Sequence, residues 1–470
     1  MSHLLISAAH KSSGKTTVCV GVCAALRARG LIVQPFKKGP DYIDPLWLSL
    51  AAGRPCYSLD SYLMSENEIR QEVARRAWDA DIAVIEGNKG LHDGLDLDGS
   101  NSNAALAALI DAPVVLVIDA RGMTRGIAPL ILGYQAFDPR IRIVGVILNQ
   151  LGGTRHEGKL RAVIEHYTDV PVLGAIQHDE RVTIAERHLG LIPSNEAPAA
   201  TARIDTIAAH VVAGVDLDRL LALARQTAAW PAPAPTTVPA YGPPVRVGIA
   251  RDAAFGFYYP GDLEALRAAG AELVAVDAVR DPCLPQLDGL FIGGGFPEMH
   301  LDALAANSAL RTDIRRSIDA GLPAYAECGG LMYLARGIEW NGRRAEMVGA
   351  IPADILMHER PVGRGYVHLR ETGGGLWPRP HAEQPALIHA HEFHYSSVEN
   401  LAPDAQFAYR VERGHGIDGR HDGIVYKNLL ASYSHLRDVA GNHWTLRFVE
   451  FVRHCSAAYR SAWHGPHSGR

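Results

Sequence analysis

Two stretches of this chain carry residue types that do chemistry only in a set order. The first is Ala9-His10-Lys11-Ser12-Ser13-Gly14-Lys15-Thr16-Thr17, which follows the short apolar run Leu4 to Ser7. A helix is expected from Lys15 to about Arg29, with Gly30 as its stop. This is the phosphate-binding pattern G-x4-G-K-T, with Ala9 in place of the first glycine. Backbone N–H groups at such a helix start cradle phosphate, so Ser12, Ser13, Gly14, Lys15, Thr16 and Thr17 are the expected nucleotide-binding residues. Lys15 would reach the β- and γ-phosphates, and the Thr16 hydroxyl would ligate Mg²⁺. The competing reading is a plain strand-to-helix turn. The second stretch is Ala326-Glu327-Cys328-Gly329-Gly330, directly after the strand-like run Leu322 to Ala326. It matches a nucleophile elbow with Cys in the nucleophile's place. A helix N-terminus beneath Cys328 is expected to lower the thiol pKa.

Each stretch calls for partners. Bound Mg-ATP needs carboxylates at neighbouring strand ends. Glu86 closes Val84-Ile85-Glu86-Gly87, and Asp41 and Asp44 lie in Lys37-Lys38-Gly39-Pro40-Asp41-Tyr42-Ile43-Asp44-Pro45. Thr16, Asp41 and Glu86 are the expected metal-side residues. Turn chemistry beside Pro40 and Pro45 is the competing explanation for Asp41 and Asp44. Asn149, after the run Ile143 to Leu148, is a candidate for the adenine edge, although Asn also ends strands for turn reasons. An acyl-enzyme at Cys328 needs an oxyanion hole. Gly293-Gly294-Gly295-Phe296-Pro297-Glu298 follows the run Gly289 to Ile292, so Gly294, Gly295 and the Gly329 N–H are the expected donors. The base is one of 22 histidines, and two contexts stand out: His389 to Ser396 and Asn428 to Leu436. The first matches no zinc spacing.

The elements that must position these groups follow from apolar patterning. Leu4 to Ile6, Ile82 to Ile85, Val114 to Ile118 and Ile143 to Leu148 read as buried parallel strands in the first half. Val245 to Ala250, Leu273 to Val276, Gly289 to Ile292 and Leu322 to Ala326 do so in the second. The fold class is therefore α/β, two domains, each a mainly parallel sheet covered by helices. The expected boundaries are 1–228, a Pro-rich linker at 229–244, 245–455, and a frayed tail at 456–470. Hydrophobic residues make up 47% of 470 and charged residues 21%, which suits folded domains with sizeable cores. The net charge of -5 argues against a nucleic-acid partner. No membrane span or secretory signal is visible, and six cysteines make no disulfide framework, so a cytoplasmic enzyme is expected.

Taken together and in order, these motifs resemble the cobyrinic acid a,c-diamide synthase family. Further pieces of the resemblance are Leu59-Asp60 through Met64, Gly90-Leu91-His92-Asp93-Gly94, Arg187 to Leu191, His391-Glu392-Phe393-His394-Tyr395-Ser396 and Ala431-Ser432-Tyr433-Ser434-His435. It spans residues 1 to 455. It implies a P-loop amide ligase of the dethiobiotin synthetase type, followed by a class I glutaminase. The reaction it implies amidates the a and c acetates of an anionic tetrapyrrole, cobyrinic or hydrogenobyrinic acid, with ATP, Mg²⁺ and L-glutamine. An acyl phosphate forms on one side and a Cys328 thioester on the other. The resemblance, not histidine counting, selects His435 as general acid/base. It puts Lys38, Asp41, Tyr42, Asp44, His92 and Asp93 on the substrate side. A homodimer is compatible with it.

Three departures bear on the outcome. Many class I glutaminases carry Glu two residues after the catalytic histidine, where this chain has Arg437. His435 therefore works in a dyad or is oriented by another group. His92 stands where the family often has Tyr, and Asn88-Lys89 differs from the common wording. Sirohaem, sirohydrochlorin and its nickel form remain alternative substrates. A P-loop ATPase of the partitioning or metal-insertion kind is a further alternative, and it gives Cys328 no role.

Overall fold

The computed structural model describes residues 2–182, 184, 186–187, 190–197, 199–227, 230, 242–377, 379 and 386–463. The chain divides into two compact units, Met1–Pro235 and Thr236–Arg470. Most of the Pro-rich stretch between them, and residues 183, 185, 188, 189 and 464–470, lie outside the described residues. So does part of the Arg187 to Leu191 motif.

The first unit is built on seven strands: β1 Ser2–Ala8, β2 Val33–Lys38, β3 Tyr57–Leu59, β4 Ile82–Glu86, β5 Val114–Asp119, β6 Ile143–Leu151 and β7 Val172–Gln177. Their order is β3-β2-β4-β1-β5-β6-β7, and every pairing is parallel. The four strands expected from apolar runs are present. The strand β2 has no such signature, because Pro35, Lys37 and Lys38 interrupt it. It is nevertheless buried along its whole length, with Lys37 among buried carboxylates and Lys38 hydrogen-bonded to Asn101. The helix α1, Lys15–Ala28, starts at Gly14 in the left-handed region (φ 79°) and stops before Gly30 (φ 84°). The helix α2 spans Ile43–Ala52.

The second unit has a nine-stranded sheet. In chain order the strands are β8 Val245–Ala250, β9 Ala271–Val276, β10 Gly289–Ile292, β11 Ala324–Glu327, β12 Gly363–Glu371, β13 Leu387–His394, β14 Gln406–Arg413, β15 His421–Tyr426 and β16 Leu429–Ser432. The sheet order is β9-β8-β10-β11-β16-β15-β14-β12-β13. It is parallel from β9 to β16 and antiparallel beyond. Side chains alternate between the faces of a strand, and two cores result. Phe291, Tyr325 and Leu430 pack with Trp444 and Phe448. Ile292, Ala326 and Ala431 pack on the other face with Leu331 and Tyr433. The closing helix runs Trp444–Trp463, so the tail expected from residue 456 is helical over its first turns. Its buried Val449 and Val452 anchor it to the sheet. Among the described residues no helix is long and apolar enough to cross a membrane.

Candidate active sites in the two units

In the first unit the P-loop bends through Ser12 (φ 61°) and Gly14, and the Ser13 hydroxyl donates to the His10 carbonyl at 2.7 Å. Asn149 Nδ2 donates to the Ser13 carbonyl at 2.9 Å. A Cβ on Gly14 would sit 2.1 Å from that Nδ2, so only glycine allows the brace. The amide nitrogen of Asn149, expected at the adenine edge, is thus committed to the loop itself. The loop from His10 to Thr17 forms one end of a cavity of ≈370 Å³. Its lining also includes Val182, Ile184 and Leu191, an apolar surface suited to a flat base.

Beside the loop the ends of β2 and β4 and the starts of α1 and α2 bring charge together. Lys15 Nζ donates to Glu86 Oε1 at 2.7 Å, and the Thr16 hydroxyl donates to the same oxygen at 2.6 Å. Thr16 Oγ1 also lies 3.2 Å from Asp44 Oδ2. Lys37, fully buried, reaches Asp44 at 2.5 Å, Glu86 at 3.3 Å and Asp41 at 3.6 Å. Burial pulls the Lys37 ammonium down, but Asp44, Glu86 and Asp41 outweigh it and hold it well above its ordinary range. Burial and the Asp44 charge push Asp41 up to about 7. Asp44 is held low by Lys37 and Lys15 in spite of burial.

The second carboxylate beside Thr16, after Glu86, is therefore Asp44, expected on the substrate side. Asp41, expected at the metal, accepts instead from the Ile43 and Asp44 N–H groups at the start of α2. Thr16, Asp44 and Glu86 form an oxygen set that fits Mg²⁺, and Glu86 Oε2 is buried without a partner. Among the described residues no three His, Cys, Asp or Glu side chains suffice for a metal alone. A hard cation here would need phosphate oxygens and water as well.

The other expected substrate residues are placed differently. Lys38 donates to the carbonyl and to the side-chain Oδ1 of Asn101, and burial lowers it to about 8. Tyr42 is buried at the start of α2. His92 is half-buried against Tyr134 and Phe137, with ring centroids 5.1 and 4.8 Å away. Asp93 Oδ2 accepts the Gly90 N–H at 2.9 Å, which closes a turn. None of these four lines the cavity, whereas Asp41, Asp44, Asn88 and Lys89 do.

In the second unit Cys328 sits at the end of β11 with φ 48° and ψ -104°, a conformation L side chains rarely adopt. This is the sharp strand-to-helix turn expected of a nucleophile elbow. The Cys328 N–H donates to the Ser432 carbonyl at 2.7 Å, which ties the elbow to β16. Three residues beyond Ser432 comes His435. The buried Asp422 carboxylate pins the intervening segment by accepting from the Tyr433 and Ser434 N–H groups, each at 3.0 Å. His435 stacks on His391 at 5.0 Å between ring centroids, and their backbones exchange two hydrogen bonds.

On the far side, a Cβ on Gly294 would meet His435 Cε1 at 2.7 Å, and one on Gly329 would lie 3.0 Å from Gly295 N. The three glycines expected to bind an oxyanion thus converge around Cys328 and His435. Burial pushes the Cys328 thiol up, and the Glu298 charge adds to this, which reverses the expected lowering. The six-residue helix Gly329–Leu334 is too short to offset that desolvation. Burial also lowers the His435 imidazole to about 3, so it rests neutral, the state of a base.

Gly294→Ala is expected to displace that imidazole. Glutaminase kcat should fall by about 100-fold, the cost of misplacing a catalytic group by an ångström. Steady-state kinetics beside a thermal melt would check it, and an unchanged kcat would contradict this geometry.

Sequence reasoning missed Asp422 and Glu327. Each is a buried charged residue at or beside a strand end, and that combination was the available signal.

Comparison with known proteins now bears on both sites. Residues 5–192 match the CobQ/CobB/MinD/ParA nucleotide binding domain, and residues 246–441 match the CobB/CobQ-like glutamine amidotransferase domain. A cobyrinate a,c-diamide synthase of Magnetococcus marinus is 48% identical over 96% of this chain and 97% of its own length. The chain belongs to the cobyrinate a,c-diamide synthase family. Family members of that name from Methanosarcina barkeri and Archaeoglobus fulgidus are each 39% identical, over 96% and 95% of this chain and 96% of each of theirs. With both domains present, the chain is a glutamine-dependent amidotransferase of the ligase class.

Proposed function

We propose that this enzyme amidates two acetate carboxylates, a and c, of cobyrinate, using ATP and glutamine. The observation that carries the substrate is the near-full-length similarity to proteins named for that reaction. The geometry supports the chemistry in two parts.

In the first unit a substrate carboxylate oxygen attacks the γ-phosphorus of ATP, ADP leaves, and an acyl phosphate forms. Ammonia then attacks the acyl carbon, and inorganic phosphate departs with the C–O bonding pair. Lys15 and Lys37, both lining the cavity, would face the charge that develops on the transferred phosphoryl group. Thr16, Asp44 and Glu86 would hold Mg²⁺, which supplies Lewis-acid neutralisation of phosphate charge.

In the second unit Cys328 Sγ attacks the side-chain amide carbon of glutamine while His435 takes the thiol proton. Gly294, Gly295 and Gly329 face the resulting oxyanion. The C–N bond then breaks as His435 returns that proton to nitrogen, releasing ammonia. Water cleaves the thioester to glutamate and restores the thiol.

The test is a panel of cobyrinic acid, hydrogenobyrinic acid, sirohydrochlorin and sirohaem, each with ATP, Mg²⁺ and glutamine, read by mass change per amidation. Two amidations of a cobyrinate-type ring are expected. Amidation of sirohydrochlorin alone would overturn the substrate assignment but keep the chemistry.

A further inference from the structure

The imidazole of a cysteine–histidine glutaminase must present a bare nitrogen to the thiol and survive a positive charge in a dry site. Something has to hold its other N–H. The position two residues after His435 cannot do so here, because it is Arg437, whose guanidinium lies 4.6 Å over the Tyr259 ring. The neighbouring Asp262 carboxylate is taken by the Asp438 N–H and the Trp444 indole. Two other buried carboxylates are also committed. Glu392 accepts from the His415 and Gly416 N–H groups at 2.7 and 2.8 Å, and Asp422 accepts from three backbone N–H groups.

The carboxylate that does reach His435 comes from the residue before the nucleophile. Glu327 Oε2 lies 3.3 Å from His435 Nδ1, with both side chains nearly inaccessible. Its other oxygen is fixed twice, by the Tyr325 hydroxyl at 2.6 Å and by the Leu436 N–H at 2.9 Å. The strand explains the placement. Residues 325 and 327 share one face of β11, so Tyr325 can hold Glu327, and the turn at Cys328 then swings the thiol away from that run. Glu327 pairs in register with Ser432, three residues before His435.

We propose that Glu327 is the positioning residue that completes the glutaminase triad. This rests on the reading of Cys328 as nucleophile. Its carboxylate accepts the Nδ1 proton of His435 and leaves Nε2 bare to take the Cys328 proton. It also compensates the imidazolium that results. Burial pushes the Glu327 carboxyl up, and the hydrogen bonds donated by the Tyr325 hydroxyl and the Leu436 N–H work against it and favour the carboxylate. The third member of the triad thus stands on the strand that carries the nucleophile, rather than two residues beyond the base.

The test is Glu327→Gln. The amide keeps the shape and still accepts from Tyr325 and from Leu436 N–H, but it presents N–H to Nδ1 and imposes the wrong tautomer. An equivalent amide in a serine triad lowers kcat by about 10⁴-fold, and a loss of at least ~100-fold in glutaminase kcat is expected here. The KM for glutamine should stay within about threefold, since only the transition state loses an interaction. Nitrogen-15 NMR of labelled histidine, assigned against His435→Gln, should show the proton at Nδ1 in the wild type and at Nε2 in Glu327→Gln. A merely structural role would not move that signature. A kcat within about threefold of wild type, or a wild-type His435 with Nδ1 bare, would overturn the proposal. Cys328→Ala separates the two readings: if it retains glutaminase activity the nucleophile assignment fails, and if it alone loses activity only the role of Glu327 does.

Discussion

Cys328→Ala is expected to abolish glutamine-dependent amidation while ammonia-dependent amidation continues. The thiol is the only group at the elbow able to form a covalent acyl intermediate, so its removal should lower glutaminase turnover by at least ~10³-fold. The phosphate loop belongs to the other compact unit, Met1–Pro235, and shares no residue with the elbow. Ammonium salt at high concentration should therefore supply the nitrogen that glutamine no longer provides. The variant shortens a buried side chain by one sulfur atom, and a small loss of melting temperature is the expected structural cost. The measurement is amide formed per ATP consumed, with glutamine and with ammonium in turn. Equal loss of both activities in a folded protein would refute the division of labour between the units.

Lys15→Ala is expected to stop amidation from either nitrogen source. Its ammonium is poised on Glu86 beside Thr16 and would face the transferred phosphoryl group, a contact that strengthens as charge develops. Such a loss is expected in turnover, by about 10²–10⁴-fold, more than in nucleotide binding. Glu86→Ala should behave alike for a different reason. It removes the acceptor shared by Lys15, Thr16 and Lys37, and leaves the fully buried Lys37 ammonium with Asp44, Asp41 and the Gly87 carbonyl. Glutaminase activity measured without ATP or tetrapyrrole is the internal control for folding of the second unit. Near-normal ammonia-dependent turnover in Lys15→Ala would remove the main support for an acyl phosphate.

The contrast between Asp41 and Asp44 shows where reading a chain reaches its limit. Both stand in one short segment, both lie beside a proline, and both have the right chemistry for a cation. The start of α2 separates them. Asp41 turns back to accept from the Ile43 and Asp44 N–H groups, whereas Asp44, one residue into the helix, points across to Thr16 and Lys37. A difference of three residues in a turn decides which of the two carboxylates faces Thr16. Lys38 makes the same point in reverse: its neighbour Lys37 points to the charged cluster, and alternation along β2 sends Lys38 to Asn101.

By itself the sequence determined what is local. The loop from His10 to Thr17 and the elbow at Cys328 are contiguous strand–turn–helix units, in which residue type and backbone geometry are tied within a few positions. The apolar runs of β1, β4, β5 and β6 announced themselves because buried parallel strands need them. Only the tertiary structure decided what depends on distant residues. Arg437 announced that the usual partner of His435 was absent, but Glu327 is 108 residues away in sequence, and only the pairing of β11 with β16 brings it to 3.3 Å. The lowering expected for the Cys328 thiol was overturned, because the helix beneath the thiol is local whereas the burial that outweighs it is the work of the whole fold. Motifs report which groups can react. The dielectric and the partners around those groups belong to the packed sheet.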